Sequence, residues 1–211
     1  MTDSAEKIVF ENVTKKYTLR DKELTVFENL NLVIDPHEFT ILIGKSGCGK
    51  TTLLRMLMGL EQPTSGRIII PKEMKIGMMF QEPRLMYWLT VEKNITLGMK
   101  KHSVKQVDNV ISLVGLDGFK NAFPNQLSGG MQQRVSLART LIRDTTLLLM
   151  DEPFSALDCF TRSSMQNELL RIKNKRNLGI IFVTHDINEA TLLGERIITI
   201  HGGTTEDGIQ I

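Results

Sequence analysis

Alternating and continuous apolar runs mark the strands that this sequence predicts. Ile8 and Phe10 begin one alternating pattern, and Leu30, Leu32 and Ile34 form another further along the chain. Alternation with a period of two predicts strands that bury one face. Continuous apolar runs rich in β-branched residues predict strands buried on both faces, as in a parallel sheet. These runs occupy residues 39–43, 67–70, 76–80, 147–150, 180–183 and 195–200, and we expect the last of them to be the final core strand.

Helical periodicity follows most of the continuous runs. The helix expected after residue 50 has its apolar positions at Leu53, Leu54, Leu57 and Leu60, with Gly59 near its end. Further helices are predicted around residues 90–97, 103–115 and 161–173, and in the segments that follow residues 128 and 186. Strands that alternate with helices predict an α/β core built on a parallel sheet. The segment from residue 84 to 126 interrupts this alternation, and we expect it to be a helical insertion.

A glycine-rich loop joins the strand at residues 39–43 to the first helix. Its pattern is that of the Walker A phosphate loop, and its residues are Gly44, Lys45, Ser46, Gly47, Cys48, Gly49, Lys50 and Thr51. A strand, a glycine loop and a helix in this order turn backbone N–H groups toward a polyphosphate. Lys50 would reach the β- and γ-phosphates, Thr51 would coordinate Mg²⁺ and Thr52 would contact the α-phosphate. The alternative is a flexible glycine-rich turn, which the correct flanking elements disfavour.

A second candidate anion site begins another helix more than 70 residues later. Ser128 can cap this helix, and Gly129 and Gly130 leave its first N–H groups accessible. The same residues would also suit an ordinary turn. One chain with two anion-binding helix starts therefore calls for an explanation.

Polar side chains follow two of the predicted buried strands. Asp151 and Glu152 come directly after residues 147–150, and His185 follows residues 180–183. Ligands of α/β folds bind at the carboxyl ends of such strands. Asp151 would hold Mg²⁺, Glu152 would act as the general base toward water, and His185 would contact a γ-phosphate. The structural alternatives are an acid pair that caps a helix and a histidine that only packs; Asp186 itself fits a helix cap.

Three other side chains have ambiguous local contexts. Gln81 ends a predicted strand, where an amide could contact Mg²⁺, orient a water or cap a loop. Tyr17 lies in turn-like polar surroundings, and local sequence favours a half-buried tyrosine over a ring that stacks on a base. Trp88, the only tryptophan, lies in an apolar cluster that favours core packing over a docking surface.

Composition narrows the class of protein. The chain has 211 residues, 41% hydrophobic and 24% charged, which is ordinary for a globular domain. A net charge of +2 does not favour nucleic-acid binding. No apolar run approaches membrane-spanning length, and residues 1–6 lack a signal-peptide layout. A bridge between Cys48 and Cys159 would block the phosphate loop, so we expect free thiols and a cytoplasmic location.

Taken in chain order, these motifs resemble the ATP-binding subunits of ABC transporters. Residues 127–133, between the phosphate loop and the acidic strand end, carry the most specific part of the resemblance, and Met131 departs from the glutamine that many members have there. The resemblance implies a P-loop NTPase (RecA-like) core with an N-terminal antiparallel β subdomain and an inserted α-helical subdomain. It implies one domain over residues 1–211, with the β subdomain and core at about 1–83 and 144–211 and the helical subdomain at about 84–143.

The resemblance also assigns roles to individual residues. Tyr17 becomes the aromatic residue that stacks on adenine, which reverses the local preference. Gln81 becomes the Q-loop glutamine, catalytic and a Mg²⁺ ligand; Asp158 belongs to the D-loop; His185 is the switch histidine. Trp88 would lie near a groove that receives a coupling helix.

Two copies would pair head to tail, so that each ATP lies between the phosphate loop of one copy and Ser128, Gly129 and Gly130 of the other. The implied function is ATP hydrolysis that powers solute import through a separate permease, at the cytoplasmic face of the membrane and with an extracytoplasmic solute-binding protein. Within the family, the sequence is most similar to importers of nitrate, sulfonate and taurine. An exporter or lipid-transport ATPase, or a soluble ABC ATPase, remains the alternative.

Overall fold

The computed structural model describes residues 6–19, 22–201 and 204–210. Residues 1–5, which belong to the segment without a signal-peptide layout, lie outside the described ranges. In these ranges the strands are β1 (Ile8–Leu19), β2 (Lys22–Ile34), β3 (Phe39–Ile43), β4 (Ser65–Ile69), β5 (Ile76–Met79), β6 (Leu147–Asp151), β7 (Gly179–Thr184), β8 (Arg196–His201) and β9 (Thr204–Gln210). The helices are α1 (Lys50–Leu57), α2 (Val91–Ile95), α3 (Val104–Leu113), α4 (Gly129–Leu141), α5 (Cys159–Arg176) and α6 (Ile187–Leu193), with a 3₁₀ turn at Pro124–Gln126. No helix of the described ranges has both the length and the apolar character needed to cross a membrane.

The strands form two sheets. A three-stranded antiparallel sheet has the order β2-β1-β4, and a six-stranded sheet has the order β5-β6-β7-β3-β8-β9. The first five strands of the larger sheet are parallel, which confirms the α/β prediction. The strand predicted at residues 195–200 is β8, and a further strand that was not predicted, β9, pairs antiparallel with it. Its sequence lacks an apolar run, so only the backbone pairing reveals it.

The parallel strands are buried on both faces of the larger sheet. Leu148 and Met150 of β6 pack into one hydrophobic cluster with α4 and α5, whereas Leu147 and Leu149 pack into another with α1 and β2. Because successive side chains of a strand point to opposite faces, one continuous apolar run supplies both clusters. The two clusters hold the sheet from either side and keep its carboxyl edge in place.

The first helix is shorter than its periodicity predicts. It ends at Leu57, the chain turns at Gly59 with a φ of 72°, and Leu60 is 61% exposed rather than part of the apolar face. Glycine permits this left-handed turn without a Cβ clash. The turn brings Glu61 back against the helix, where it pairs with Arg55 at 3.3 Å.

The expectation that Trp88 packs in the core is also wrong. Its side chain is 73% exposed, while Leu85 takes the buried position of the cluster. The reason is Asn94 of α2, which is fully buried and ties down the chain around the tryptophan. Its amide donates to the carbonyls of Met86, Leu89 and Thr90, and its oxygen accepts from the Met86 amide. The segment between these anchors turns outward and takes Trp88 with it.

We predict that Asn94→Ala destabilises the chain by about 3 kcal/mol, because three backbone carbonyls and one backbone amide lose the buried Asn94 side chain as a hydrogen-bond partner. For a domain of this size the thermal midpoint should fall by roughly 6–12 °C. Asn109→Ala is the matched control, since Asn109 is exposed on α3. Thermal unfolding of both variants tests the prediction, and equal midpoints would contradict the anchoring role of Asn94.

Candidate functional site

The glycine-rich loop lies between the end of β3 and the start of α1. Gly49 has a φ of 109°, and a Cβ there would lie 2.7 Å from both Phe27 Cζ and Val26 Cγ1. A Cβ on Gly44 would lie 2.5 Å from the Ile200 carbonyl oxygen. Both positions therefore require glycine for close packing. The loop is pressed between β2 and β8.

Lys50 is the buried cation of this loop. Its ammonium donates to the carbonyls of Gly44 at 2.7 Å and Lys45 at 3.0 Å, and the residue is 6% exposed. No carboxylate of the described residues forms an ion pair with it. A buried ammonium that is bonded to neutral carbonyls and lies near the Cys48 sulfur favours an anionic ligand. This placement fits the predicted contact with phosphate oxygens.

A cavity of about 280 Å³ opens over the loop. Its lining residues are Tyr17, Leu24, Val26, Ser46, Gly47, Gly49, Lys50, Thr51, Thr52 and Glu152. The floor is polar and is formed by the loop and α1. The wall comes from the β1–β2 hairpin and is mostly apolar, which suits a ligand with phosphates at one end and a flat ring at the other.

Tyr17 lies near the end of β1, which confirms the half-buried strand-end tyrosine that local sequence favours. It is half-buried, and its hydroxyl donates to the Glu61 carboxylate and lies 3.4 Å from Thr52 Oγ1. The Lys15 ammonium is 4.8 Å from the ring centroid. Sequence reasoning missed Leu24 and Val26, although Leu24 pairs directly with Tyr17 in the hairpin. Only the hairpin register could have identified them.

Asp151 lies at the end of β6, opposite the start of α1. Thr51 Oγ1 donates to Asp151 Oδ1 at 3.2 Å, and both residues line a cavity of about 250 Å³ together with Gln81. Burial raises the pKa of the Asp151 carboxyl, and the neighbouring Glu152 raises it further, while the Thr51 hydrogen bond opposes them. The Asp151 carboxylate, the Thr51 hydroxyl and the Gln81 amide offer the oxygen atoms that a hard divalent cation such as Mg²⁺ prefers. Such a cation would also offset the burial of the Asp151 charge.

Glu152 and His185 form a second polar pair at the same edge. Glu152 Oε2 and His185 Nδ1 lie 3.2 Å apart. The Glu152 backbone has a φ of 46°, a conformation that costs energy for a residue other than glycine and that often occurs at functional sites. The structure thus brings the predicted base and the predicted switch histidine together beside the phosphate loop.

Gln81 reaches this site through a serine that sequence reasoning did not single out. Its amide donates to Ser155 Oγ at 3.0 Å, and the Ser155 hydroxyl donates to the Glu152 carbonyl at 2.9 Å. A serine three residues after a glutamate has no signal of its own in a single sequence. The bond links the loop after β5 to the backbone of the predicted base.

The residues of the second predicted anion site lie elsewhere on the chain. Ser128 caps α4 by accepting from the Met131 amide at 3.3 Å, which confirms the predicted cap. Gly130 packs against Thr161, where a Cβ would clash. None of Ser128, Gly129 and Gly130 is among the described residues that line the cavity over the phosphate loop. Met131 is partly buried and packs on the core. Within one chain, the two anion sites do not meet.

Both cysteines are free, as predicted. Cys48 Sγ lies 3.9 Å from the Lys50 ammonium, and Cys159 is exposed at the first turn of α5. The predicted helix cap of Asp186 is also confirmed, since its carboxylate accepts from the Asn188 amide at 2.8 Å. The phosphate loop is therefore not closed by a disulfide.

A family model described as ABC transporter matches residues 27–155. The chain belongs to the ABC transporter family. The matched range includes the phosphate loop, Gln81, the α4 cap and the acidic pair, whereas Tyr17 and His185 lie outside it.

Several relatives of known sequence cover most of this ABC chain. It is 46% identical over 192 residues to the aliphatic sulfonates import ATP-binding protein SsuB of Bacillus subtilis, covering 87% of this chain and 75% of that protein. It is 44% identical over 206 residues to an uncharacterized ABC transporter ATP-binding protein of Methanocaldococcus jannaschii, covering 92% of this chain and 77% of that protein.

Solved ABC structures share the fold. One is a dimeric post-hydrolysis state of an ATP-binding cassette bound to ADP and Pi, with a TM-score of 0.81 and 32% identity over 96% of this chain and 100% of that one. Another is cbiO1 of Clostridium perfringens, part of an ABC transporter complex, with a TM-score of 0.85 and 26% identity over 95% of this chain and 87% of that one. These matches confirm the P-loop NTPase fold class.

We predict that Asp151→Asn stabilises the ligand-free chain at neutral pH. The pKa of this carboxyl is raised in the folded chain. Between the ordinary aspartate pKa and this raised pKa, the folded chain keeps a proton that the unfolded chain has released. The unfolding free energy of the wild type therefore falls as pH rises through this window, and removing the charge restores it. Urea unfolding at about pH 5 and about pH 7.5 measures the gain, which should be larger at the higher pH.

Asp158→Asn is the control of opposite sign. Hydrogen bonds from Thr161, and then from the Phe160 amide, lower the pKa of the Asp158 carboxyl, so its contribution to stability is complete above the ordinary aspartate pKa. The loss in this variant should not change between about pH 5 and about pH 7.5. A lower stability of Asp151→Asn at neutral pH would contradict the inferred cost of the Asp151 charge.

Proposed function

We propose that this chain is the ATP-hydrolysing subunit of a membrane importer that works with a separate permease. The observation that carries the proposal is that Thr51 lines two cavities, one shared with Lys50 and Glu152 over the phosphate loop and one shared with Asp151 and Gln81. The hydrogen bond between Thr51 and Asp151 joins the two. Family membership and relatives named as import ATP-binding proteins support the same function. The exporter, lipid-transport and soluble alternatives would use the same residues, and no observation of this structure favours them.

In this proposal, each residue of the cavity has one role. Backbone N–H groups of the loop and the Lys50 ammonium bind the phosphates, Thr52 contacts the α-phosphate, and the Tyr17 ring stacks on the base. Glu152 accepts a proton from water as the water oxygen bonds to the γ-phosphorus and the bond to the bridging oxygen of ADP breaks. His185 holds the Glu152 carboxylate through their hydrogen bond and approaches the γ-phosphate.

We also propose that Thr51, Asp151 and Gln81 hold Mg²⁺ together with the phosphates. When bound, the ion would neutralise charge that develops on the phosphate oxygens. Thr51 and Asp151 already contact each other, and Gln81 lines the same cavity. The raised pKa of Asp151 supports this assignment, because a cation would offset the cost of its buried charge.

A second copy of the chain completes the site in our proposal. Ser128, Gly129 and Gly130 form an anion site that their own chain leaves unused, and a head-to-tail twofold dimer would place each set on the nucleotide of the other copy. The dimeric cassette with bound ADP and Pi supports this arrangement. ATP would then favour the closed dimer, and loss of the γ-phosphate would remove that preference.

The proposal extends to location and partners. The chain would bind the cytoplasmic face of the membrane through its permease, with the exposed Trp88 near the docking groove and an extracytoplasmic protein delivering the solute. Relatives named for aliphatic sulfonates favour a small organic anion as that solute. The domain division predicted above, with a helical subdomain at about residues 84–143, is part of the same proposal.

We predict that Glu152→Gln lowers ATP turnover by about 100-fold or more, because the variant lacks the general base. ATP binding should survive, and gel filtration with Mg²⁺ and ATP should show a dimer that the wild type forms only transiently. Lys50→Ala is the comparison, since it should bind no nucleotide and stay monomeric. Unchanged turnover in Glu152→Gln would refute the assigned base, and normal ATP affinity in Lys50→Ala would refute the site.

We predict that the affinity-tagged chain recovers a polytopic permease from detergent-solubilised membranes of its source. Trp88→Ala should reduce this recovery without changing ATP hydrolysis by the isolated chain, because an exposed aromatic anchors an interface. Leu192→Ala, which truncates an exposed side chain of α6, is the matched control. Recovery of ribosomes or DNA in place of a permease would favour a soluble ABC ATPase.

A further inference from the structure

The loop that carries Gln81 is held by helix α4. Gln133 donates its amide to the Gln81 carbonyl at 2.6 Å. One turn and a half further along α4, the Arg139 guanidinium donates to the Pro83 carbonyl at 2.7 Å and to the Arg84 carbonyl at 2.9 Å. Three of the four carbonyls of residues 81–84 are thus bound by two side chains of one helix.

Both side chains occupy costly positions. Gln133 is 3% exposed, and its Oε1 atom is buried without a hydrogen-bond partner among the described residues. Burial lowers the pKa of the Arg139 guanidinium, and the neighbouring Arg143 lowers it further. An apolar side chain at position 133 would avoid an unpaired buried amide. Residues that break a local rule in this way are expected to have a role outside folding.

Helix α4 connects this loop to the second anion site. It begins directly after Ser128, and Gln133 lies five residues along it, about 7.5 Å at the helical rise. From the other side, the Gln81 amide bonds to Ser155, whose hydroxyl bonds to the Glu152 carbonyl. A continuous path of hydrogen bonds therefore runs from α4 through Gln81 to the backbone of the proposed base.

We propose that Gln133 and Arg139 are positioning residues that fasten the loop of residues 81–84 to α4. The two side chains hold the loop on the helix and so keep Gln81 in the cavity that it lines with Thr51 and Asp151. The inference rests on the proposed function for the role of Gln81 as a ligand of Mg²⁺. The fastening itself rests only on contacts within this chain.

The test compares Gln133→Leu with Gln132→Leu in the full chain. Gln132 is its neighbour on α4, but its amide donates to the carbonyls of Pro124 and Leu127, away from the loop. Both variants lose glutamine bonds to backbone carbonyls, and only Gln133→Leu releases the loop. In the ligand-free chain, amide hydrogen exchange over residues 81–86 should become faster in Gln133→Leu and not in Gln132→Leu.

With nucleotide, Gln133→Leu should lower turnover, or raise the Mg²⁺ concentration needed for half-maximal activity, by about 10-fold or more. Substitution of a residue that orients a metal ligand has effects of this size. ATP binding measured without Mg²⁺ should stay unchanged, and the thermal midpoint should be no lower than that of Gln132→Leu. Arg139→Lys, which cannot span two carbonyls, should accelerate exchange in the same segment by a smaller factor.

Equal exchange, Mg²⁺ dependence and turnover in the two glutamine variants would overturn the inference and leave Gln133 as a core-filling residue. Faster exchange with unchanged turnover and Mg²⁺ dependence would overturn the coupling to Gln81. Failure of the proposed function would be seen separately, as a wild-type chain that neither binds nor hydrolyses ATP while the exchange difference between the variants persists.

Discussion

The candidate site depends on the register of three adjacent parallel strands, which end side by side at one edge of the sheet. β6, β7 and β3 are neighbours in the larger sheet, with Asp151 paired to Val183 and Ile43 paired to Thr184. This register ends the strands side by side, so the phosphate loop, the acidic pair and His185 all leave the sheet at one edge. A shift of one residue in any of these pairings would turn the side chains to the opposite face and separate the set.

The same edge carries features that oppose folding. Asp151 has a charge that burial disfavours, Glu152 has a left-handed backbone, and Lys50 is buried against neutral carbonyls. The two hydrophobic clusters on either face of the sheet offset these costs, because each inward strand residue is fully packed. Stability is thus supplied by the sheet interior, and its carboxyl edge is left free to hold an arrangement that suits a ligand.

Short motifs made most of the site predictable from sequence, because each motif specifies its own local backbone. The loop at 44–51 and the acidic strand end at 151–152 are contiguous, and the larger sheet follows from apolar runs that have few alternatives. Features that depend on distant partners were not accessible in the same way. Trp88 is exposed because Asn94 ties its flanks, and β9 is a strand because β8 offers a free edge. Leu24 faces the cavity through a hairpin register that no local pattern specifies.

Helix α4 takes part in two regions of the molecule. Ser128, Gly129 and Gly130 at its start do not line the cavity over the phosphate loop, whereas Gln133 and Arg139 further along bind the loop of Gln81. A helix is stiff over this length, so the loop has a fixed anchor on α4. Since Gln81 is the proposed metal ligand supplied by a loop, its place beside Thr51 and Asp151 would depend on that anchor. The other two members of the set are fixed instead by the start of α1 and the end of β6, which contact each other directly.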